Sequence, residues 1–227
     1  MTDLMISAPK VIQKNKPGSN IDNRVTSYLR MIERVLADSE IVALLNKYGY
    51  DALELGQGQK LCQLAQDAFD ACQKALLAQR HAEAAFERTY QAARTAFMLY
   101  RSSSQPVVKT AVLRYELALE GKLPSDAFKF AALANSGYKV AFNTPVFLSS
   151  LQESGVPVSY LEDGCSSLES FFQADEALEK AKAVAIDATI ECDLAMQKLE
   201  NWIKYFCRDV KTALHSRPLL AQEILVI

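Results

Sequence analysis

Between residues 59 and 101 the chain has neither proline nor glycine, and its apolar and small residues return at alternating intervals of four and three. They are Leu61 with Cys62, Ala65, Ala68 with Phe69, Cys72, Ala75 with Leu76, Ala82, Phe86, Tyr90, Ala93, Phe97 and Tyr100, with Gln79 as the one polar interruption. That spacing keeps side chains on one edge of an α-helix, and its persistence predicts a long helix lying against another. A second stretch free of proline and glycine, from Cys165 to Arg217, carries the same edge: Leu168, Phe171, Ala174, Leu178, Ala181, Ala185, Ala188, Cys192, Met196, Leu199, Ile203 and Phe206.

The two edges share their phase. Slid by 106 positions without a gap, the chain aligns Leu45 with Leu151, Gly49 with Gly155, Leu55 with Leu161, Gly58 with Gly164, Ala68 with Ala174, Lys74 with Lys180 and Gln91 with Gln197. A fixed offset of this kind signals an internal duplication. Both edges are small in the middle (Ala75, Gln79 and Ala82; Ala181, Ala185 and Ala188) and bulky toward their C-terminal ends. Two helices on the order of 65–75 Å long, packed antiparallel through their alanine centres, fit that taper. Short helices read at 25–37, 40–48, 106–120, 125–135 and 145–153 cover the bulky ends as a cluster at each.

The fold class expected is therefore all-α. The alternative is that each long segment folds back near residue 80 or 186 into a bundle; nothing there looks like a turn. The organisation expected is a mobile tail over 1–24, a first helical repeat over 25–120, a second over 121–217 packed on it as one domain, and an apolar tail over 218–227. Gly49, Gly56, Gly58, Gly137, Gly155 and Gly164 read as turn formers at this level.

The segment Leu-Leu-Asn-Lys-Tyr-Gly-Tyr-Asp at 44–51, followed by Leu53, Leu55 and a long helix rich in alanine and glutamine, resembles bacterial all-helical proteins carrying such a unit twice. The resemblance covers most of residues 27–214. It implies the fold, and it brings no activity or site residue with it.

Composition narrows the function classes. The 227 residues are half hydrophobic and carry a formal net charge of -2, which gives no global field toward nucleic acid or an anionic membrane. No apolar run reaches the roughly 18–20 residues that cross a bilayer, and the N-terminus lacks the order of a signal peptide, so a cytoplasmic protein is expected. The five cysteines, Cys62, Cys72, Cys165, Cys192 and Cys207, form no Cys-x-x-Cys pair and read as reduced core residues.

Catalytic and cofactor chemistry finds no purchase. Neither His81 nor His215 stands in the Glu-x-x-His pattern of a di-metal bundle. Ser102, Ser103 and Ser104 have no histidine near them, and Gly56-Gln57-Gly58 lacks the lysine and strand of a phosphate loop. No catalytic, metal or cofactor residue is assigned, and no cofactor is expected.

Two features suggest contacts instead. Arg101, Lys109 and Arg114, then Lys204, Arg208 and Lys211, gather toward the ends of the long helices, as helix dipoles favour. Interleaved Tyr100, Tyr115, Tyr205 and Phe206 would suit nucleic acid, but Glu116, Glu120, Glu200 and Asp209 intrude and disfavour it. The chain also ends on Ile224, Leu225, Val226 and Ile227. Arg101, Lys109, Arg114, Lys204, Arg208, Lys211, Leu225 and Ile227 are accordingly the candidate partner-binding residues. The function expected is that of a non-enzymatic interaction or scaffold protein with a protein partner and with homodimerisation open to it through Phe69, Leu76 and Leu77. The alternatives are a helical bundle holding a small apolar or amphipathic ligand and a weak nucleic-acid binder.

Overall fold

The computed structural model describes residues 18–225, and side-chain environments from residue 21. Among these residues there are eight helices and no strand: α1 (Gly18–Leu36), α2 (Ser39–Asn46), α3 (Ala52–Ser104), α4 (Ala111–Glu116), α5 (Ala127–Phe142), α6 (Pro145–Glu153), α7 (Ser159–Ala213) and α8 (Pro218–Leu225). The expected tail over 1–24 lies outside the described residues as far as residue 17; from Gly18 onward it belongs to α1.

α3 and α7 run unbroken for 53 and 55 residues, so the fold-back alternative is discarded. Both begin earlier than their proline- and glycine-free stretches. The Asp51 carboxylate accepts from the Glu54 amide at 2.8 Å and caps α3, which carries the helix through Gly56 and Gly58. α5 likewise continues through Gly137 to Phe142. α4 is shorter than the expected 106–120, because the chain leaves the helix at Leu117 and places Ala118 at φ 52.

The helices form two compact units. The first takes the chain up to Gln73 and from Ala188 onward: α1, α2, the start of α3, the end of α7, and α8. Within it, residue numbers rise along α3 as they fall along α7: Gly58 lies against Trp202, and the Cys72 thiol sits 3.6 Å from the Thr189 hydroxyl. Met31, Ile32, Val35, Ile41, Leu45, Leu55, Phe206, Val210 and Leu214 are buried in its core. Tyr50 meets the rings of Trp202 and Phe206 edge-on, at 5.8 and 5.2 Å, and Trp202 stacks on Phe206. The Trp202 indole donates to Glu54 at 2.7 Å, giving its polar edge a partner. α8 buries Ala221 and Ile224, and Arg34 of α1 donates to the Glu223 carbonyl at 2.8 Å.

The second unit, Lys74–Asp187, holds the rest of α3, then α4, α5, α6 and the start of α7. Its core is aromatic. Phe97 lies 5.8 Å from Phe130 and 5.4 Å from Tyr138, Tyr138 lies 5.0 Å from Tyr100, and Phe171 of α7 packs on Phe86 and Tyr90 of α3. Leu117 and Leu119, on either side of Ala118, are fully buried. That loop approaches α5 so closely that a Cβ at Gly137 would stand 2.9 Å from the Leu117 carbonyl oxygen. Left-handed Ala118 costs on the order of 1 kcal/mol, which burial of its two leucine neighbours offsets. The Tyr138 hydroxyl is buried without a hydrogen-bond partner among the described residues, directly over Gly164.

Several local features recur 106 residues apart. Gly49 at φ 91 follows α2, and its amide and that of Tyr50 donate to the carbonyls of Asn46 and Leu45; Gly155 at φ 74 follows α6, and its amide and that of Val156 donate to Gln152 and Leu151. This is a Schellman turn, whose left-handed residue favours glycine. The burial of Ile41, Leu45, Leu55, Cys62 and Cys72 returns at Phe147, Leu151, Leu161, Leu168 and Leu178.

Gly56 and Gly58, two residues apart in α3, should respond oppositely to alanine. A Cβ at Gly56 meets nothing within 4 Å, whereas at Gly58 it would fall 2.7 Å from Cζ2 of Trp202 and displace the indole from its stack. In urea unfolding, Gly56→Ala should gain about 0.5–1 kcal/mol from helix propensity. Gly58→Ala should lose about 1–3 kcal/mol through overpacking.

Candidate functional site

The candidate contact residues divide between the units. In the second, Arg101 reaches back from the end of α3, and its guanidinium donates to the Leu119 carbonyl through Nε at 3.0 Å and Nη2 at 2.8 Å, and to the Gly121 carbonyl at 2.9 Å. Arg114 donates to the Val108 carbonyl at 2.7 Å and pairs with Glu120 at 3.4 Å. Both arginines thus supply donors to loop carbonyls that no helix satisfies. Lys109 is left exposed beside them.

In the first unit, Lys204 and Lys211 are exposed on α7. Arg208 lies over the Tyr205 ring at 5.2 Å and pairs with Asp209 at 2.8 Å. Asp209 also accepts from the Tyr50 hydroxyl at 3.3 Å. Burial first, and then the adjacent Asp209 carboxylate, pushes Tyr50 up to about 12. The hydrogen bond from Arg208 is the main cause that holds Asp209 below the usual carboxylate range. Leu225 is half-buried where α8 meets α7, at a groove of about 680 Å³ lined by Lys211, Leu214, His215, Pro218, Ala221, Gln222 and Leu225. Ile227 lies outside the described residues.

The thiols face inward. Cys62, Cys72 and Cys192 are buried, and Cys165 and Cys207 half-buried. Burial, helped by Glu33, pushes Cys62 up to about 11, and burial also raises Cys165, Cys192 and Cys207. A nucleophilic cysteine needs the opposite shift. Among the described residues no three of His, Cys, Asp and Glu converge to hold a metal ion, and no helix is long and apolar enough to cross a membrane.

The sequence reading overlooked the apolar side chains that the long helices leave in solvent. They include Leu53 and Leu64 on α3 and Val184, Ile186, Ile190 and Leu194 on α7, each about half exposed or more; Leu77, expected on an outward face, is exposed as read. Phe69, expected on an outward face, is buried instead. In the first unit Leu61, Leu64 and Ala68 of α3, with Glu191, Leu194, Ala195 and Lys198 of α7, form a groove of about 280 Å³. Its signal lay in a second set of spacings, 61, 64 and 68 beside 191, 194, 195 and 198, one face away from the buried edge.

No protein-family model matches this chain, and neither does any curated protein or solved structure.

The Tyr50–Asp209 contact should appear in pH titrations. A tyrosine raised in the folded state adds stability that is complete below its unfolded value near 10 and is lost as pH rises toward about 12. Asp209, lowered on folding, adds stability that is present above its unfolded value and lost as pH falls through the folded one. Tyrosinate absorbance should place one tyrosine near 12, and Asp209→Asn should bring it part of the way back toward 10, leaving the share due to burial.

Proposed function

We propose that this chain is a non-enzymatic interaction protein of the cytoplasm, in which two copies of one helical unit present α3 and α7 as a scaffold to a protein partner. One observation carries the reading: the leucine and isoleucine side chains that α3 and α7 leave in solvent in the first unit, with Leu53 at 74%, Ile190 at 53% and Leu194 at 50% exposure. Apolar side chains so exposed favour an interaction site, since leaving them in water forgoes roughly 25 cal/mol for each Å² they could bury.

Duplication is supported by the paired glycine turns and the recurring burial pattern 106 residues apart. A coiled-coil-like pairing of the long helices is supported by their heptad spacing and by the rise of α3 against the fall of α7 in the first unit. Nucleic-acid binding draws little support, because Arg101 and Arg114 are turned onto carbonyls and Arg208 is neutralised by Asp209.

A photo-crosslinking residue placed at Ile190, in the cell that makes the protein, should give a discrete protein adduct. The same residue at Gln173, exposed and polar on α7, should give none. Equal adducts from both positions, or none from either, would remove the interaction reading.

A second reading, a bundle that holds a small apolar or amphipathic ligand, draws on the groove at the α7–α8 junction, where Lys211 and His215 flank Leu214 and Leu225. Native mass spectrometry of the gently purified chain should then show a bound mass that Leu214→Asp removes. A bare chain mass in every preparation counts against it.

A further inference from the structure

We infer that the partner of the α3–α7 groove in the first unit is a second copy of this chain, docked about a two-fold axis. The inference rests on the reading above that the exposed apolar residues are an interaction surface, and it names the occupant. The groove is close to symmetric along its length. α3 contributes Leu61, Leu64 and Ala68, with Leu64 near the middle; α7 contributes Leu194 and Ala195 at the middle, with Glu191 on one side and Lys198 on the other.

Glu191 and Lys198 are seven residues apart, two helical turns, so they share a face and stand about 10 Å apart along the axis. Neither has an ion-pair partner among the described residues. A two-fold axis through the centre of the groove reverses the direction of α7 in the second copy. It therefore sets Glu191 of each copy opposite Lys198 of the other, forming two identical ion pairs. Between those pairs Leu194 of one copy packs over the Ala195 position of the other, large against small, and the two Leu64 side chains close the α3 side.

An unrelated helix could fill the groove by shape, but only a surface carrying the same two charges in the same order satisfies both ends at once. The arrangement also selects against wrong registers. A copy laid parallel, about an axis along the groove, sets α7 over α3 of the other copy and forms neither Glu191–Lys198 pair. α3 and α7 of the two copies then make a local four-helix contact, a packing that hides an apolar stripe a two-helix pair leaves wet.

Charge reversal tests this in the full-length chain. By light scattering and sedimentation equilibrium the protein should show a mass near twice 25.2 kDa. Glu191→Lys and Lys198→Glu should each raise the dimer dissociation constant by about tenfold or more, because each puts like charges at both ends of the contact. The double variant carrying E191K and K198E should return it to within about threefold of the parent, and Leu194→Asp should leave a monomer with unchanged helical circular dichroism. Should Leu194→Asp fail to fold, the charge variants, both at exposed sites, carry the test alone.

A monomer at every concentration, or a dimer indifferent to the single reversals, overturns the inference. So does failure of the double variant to recover. A monomer that still forms an Ile190 adduct with a different protein removes self-association and leaves the interaction reading standing; a monomer with no adduct removes both.

Discussion

Neither long helix can bury its apolar edge by itself, and the structure follows from how that edge is covered. In the first unit the beginning of α3 meets the end of α7; in the second, the later part of α3 meets the beginning of α7. Each contact is then sealed by short helices on the bulky side of the edge. The cost of a helix is the ordering of its backbone, at roughly 1–2 kcal/mol per residue, and a helix of more than fifty residues has to recover that from packing distributed along its length. A regular apolar repeat does so, because every second turn returns a side chain to the same line.

Close approach is what distinguishes the two units in detail. Gly58 and Gly164 both lie near the start of a long helix, and each faces an aromatic ring, Trp202 in one unit and Tyr138 in the other. The rings come from different elements, α7 and α5, and differ in polar satisfaction. The Trp202 indole has Glu54, while the Tyr138 hydroxyl is buried without a partner among the described residues. Missing side chains on a helix surface thus become sockets for large ones. The same logic at Gly137 lets the 117–119 loop lie against α5, and Arg101 secures that loop by its exposed carbonyls.

Charge is used differently from what its distribution along the chain suggests. Basic residues near helix ends look like a binding surface when read as letters. In three dimensions Arg101 and Arg114 are committed to carbonyl oxygens and Arg208 to Asp209, so the arginines of the apparent positive patch are internal wiring and its lysines, Lys109, Lys204 and Lys211, are left exposed. The apolar residues Leu64, Ile190 and Leu194, which looked like ordinary helix content, are the ones left facing water. Apolar side chains are thus left in water where an amphipathic helix departs from a single apolar edge.

The heptad spacing alone determined the two long helices and their all-α setting, because periodicity is a local property that every turn of helix repeats. Gly49 and Gly155 were legible as turns for the same reason, since a left-handed residue after a helix has a local cause. Only the tertiary structure decided that Gly58, Gly137 and Gly164 serve packing, that the helices start at Ala52 and Ser159, and that α4 gives way to a left-handed Ala118. Each of these depends on a neighbour far along the chain, a Trp202 or a Leu117, whose approach no spacing announces. The groove of Leu61, Leu64, Leu194 and Lys198 belongs to the same class: its residues are 130 positions apart, and only the meeting of α3 with α7 makes them one surface.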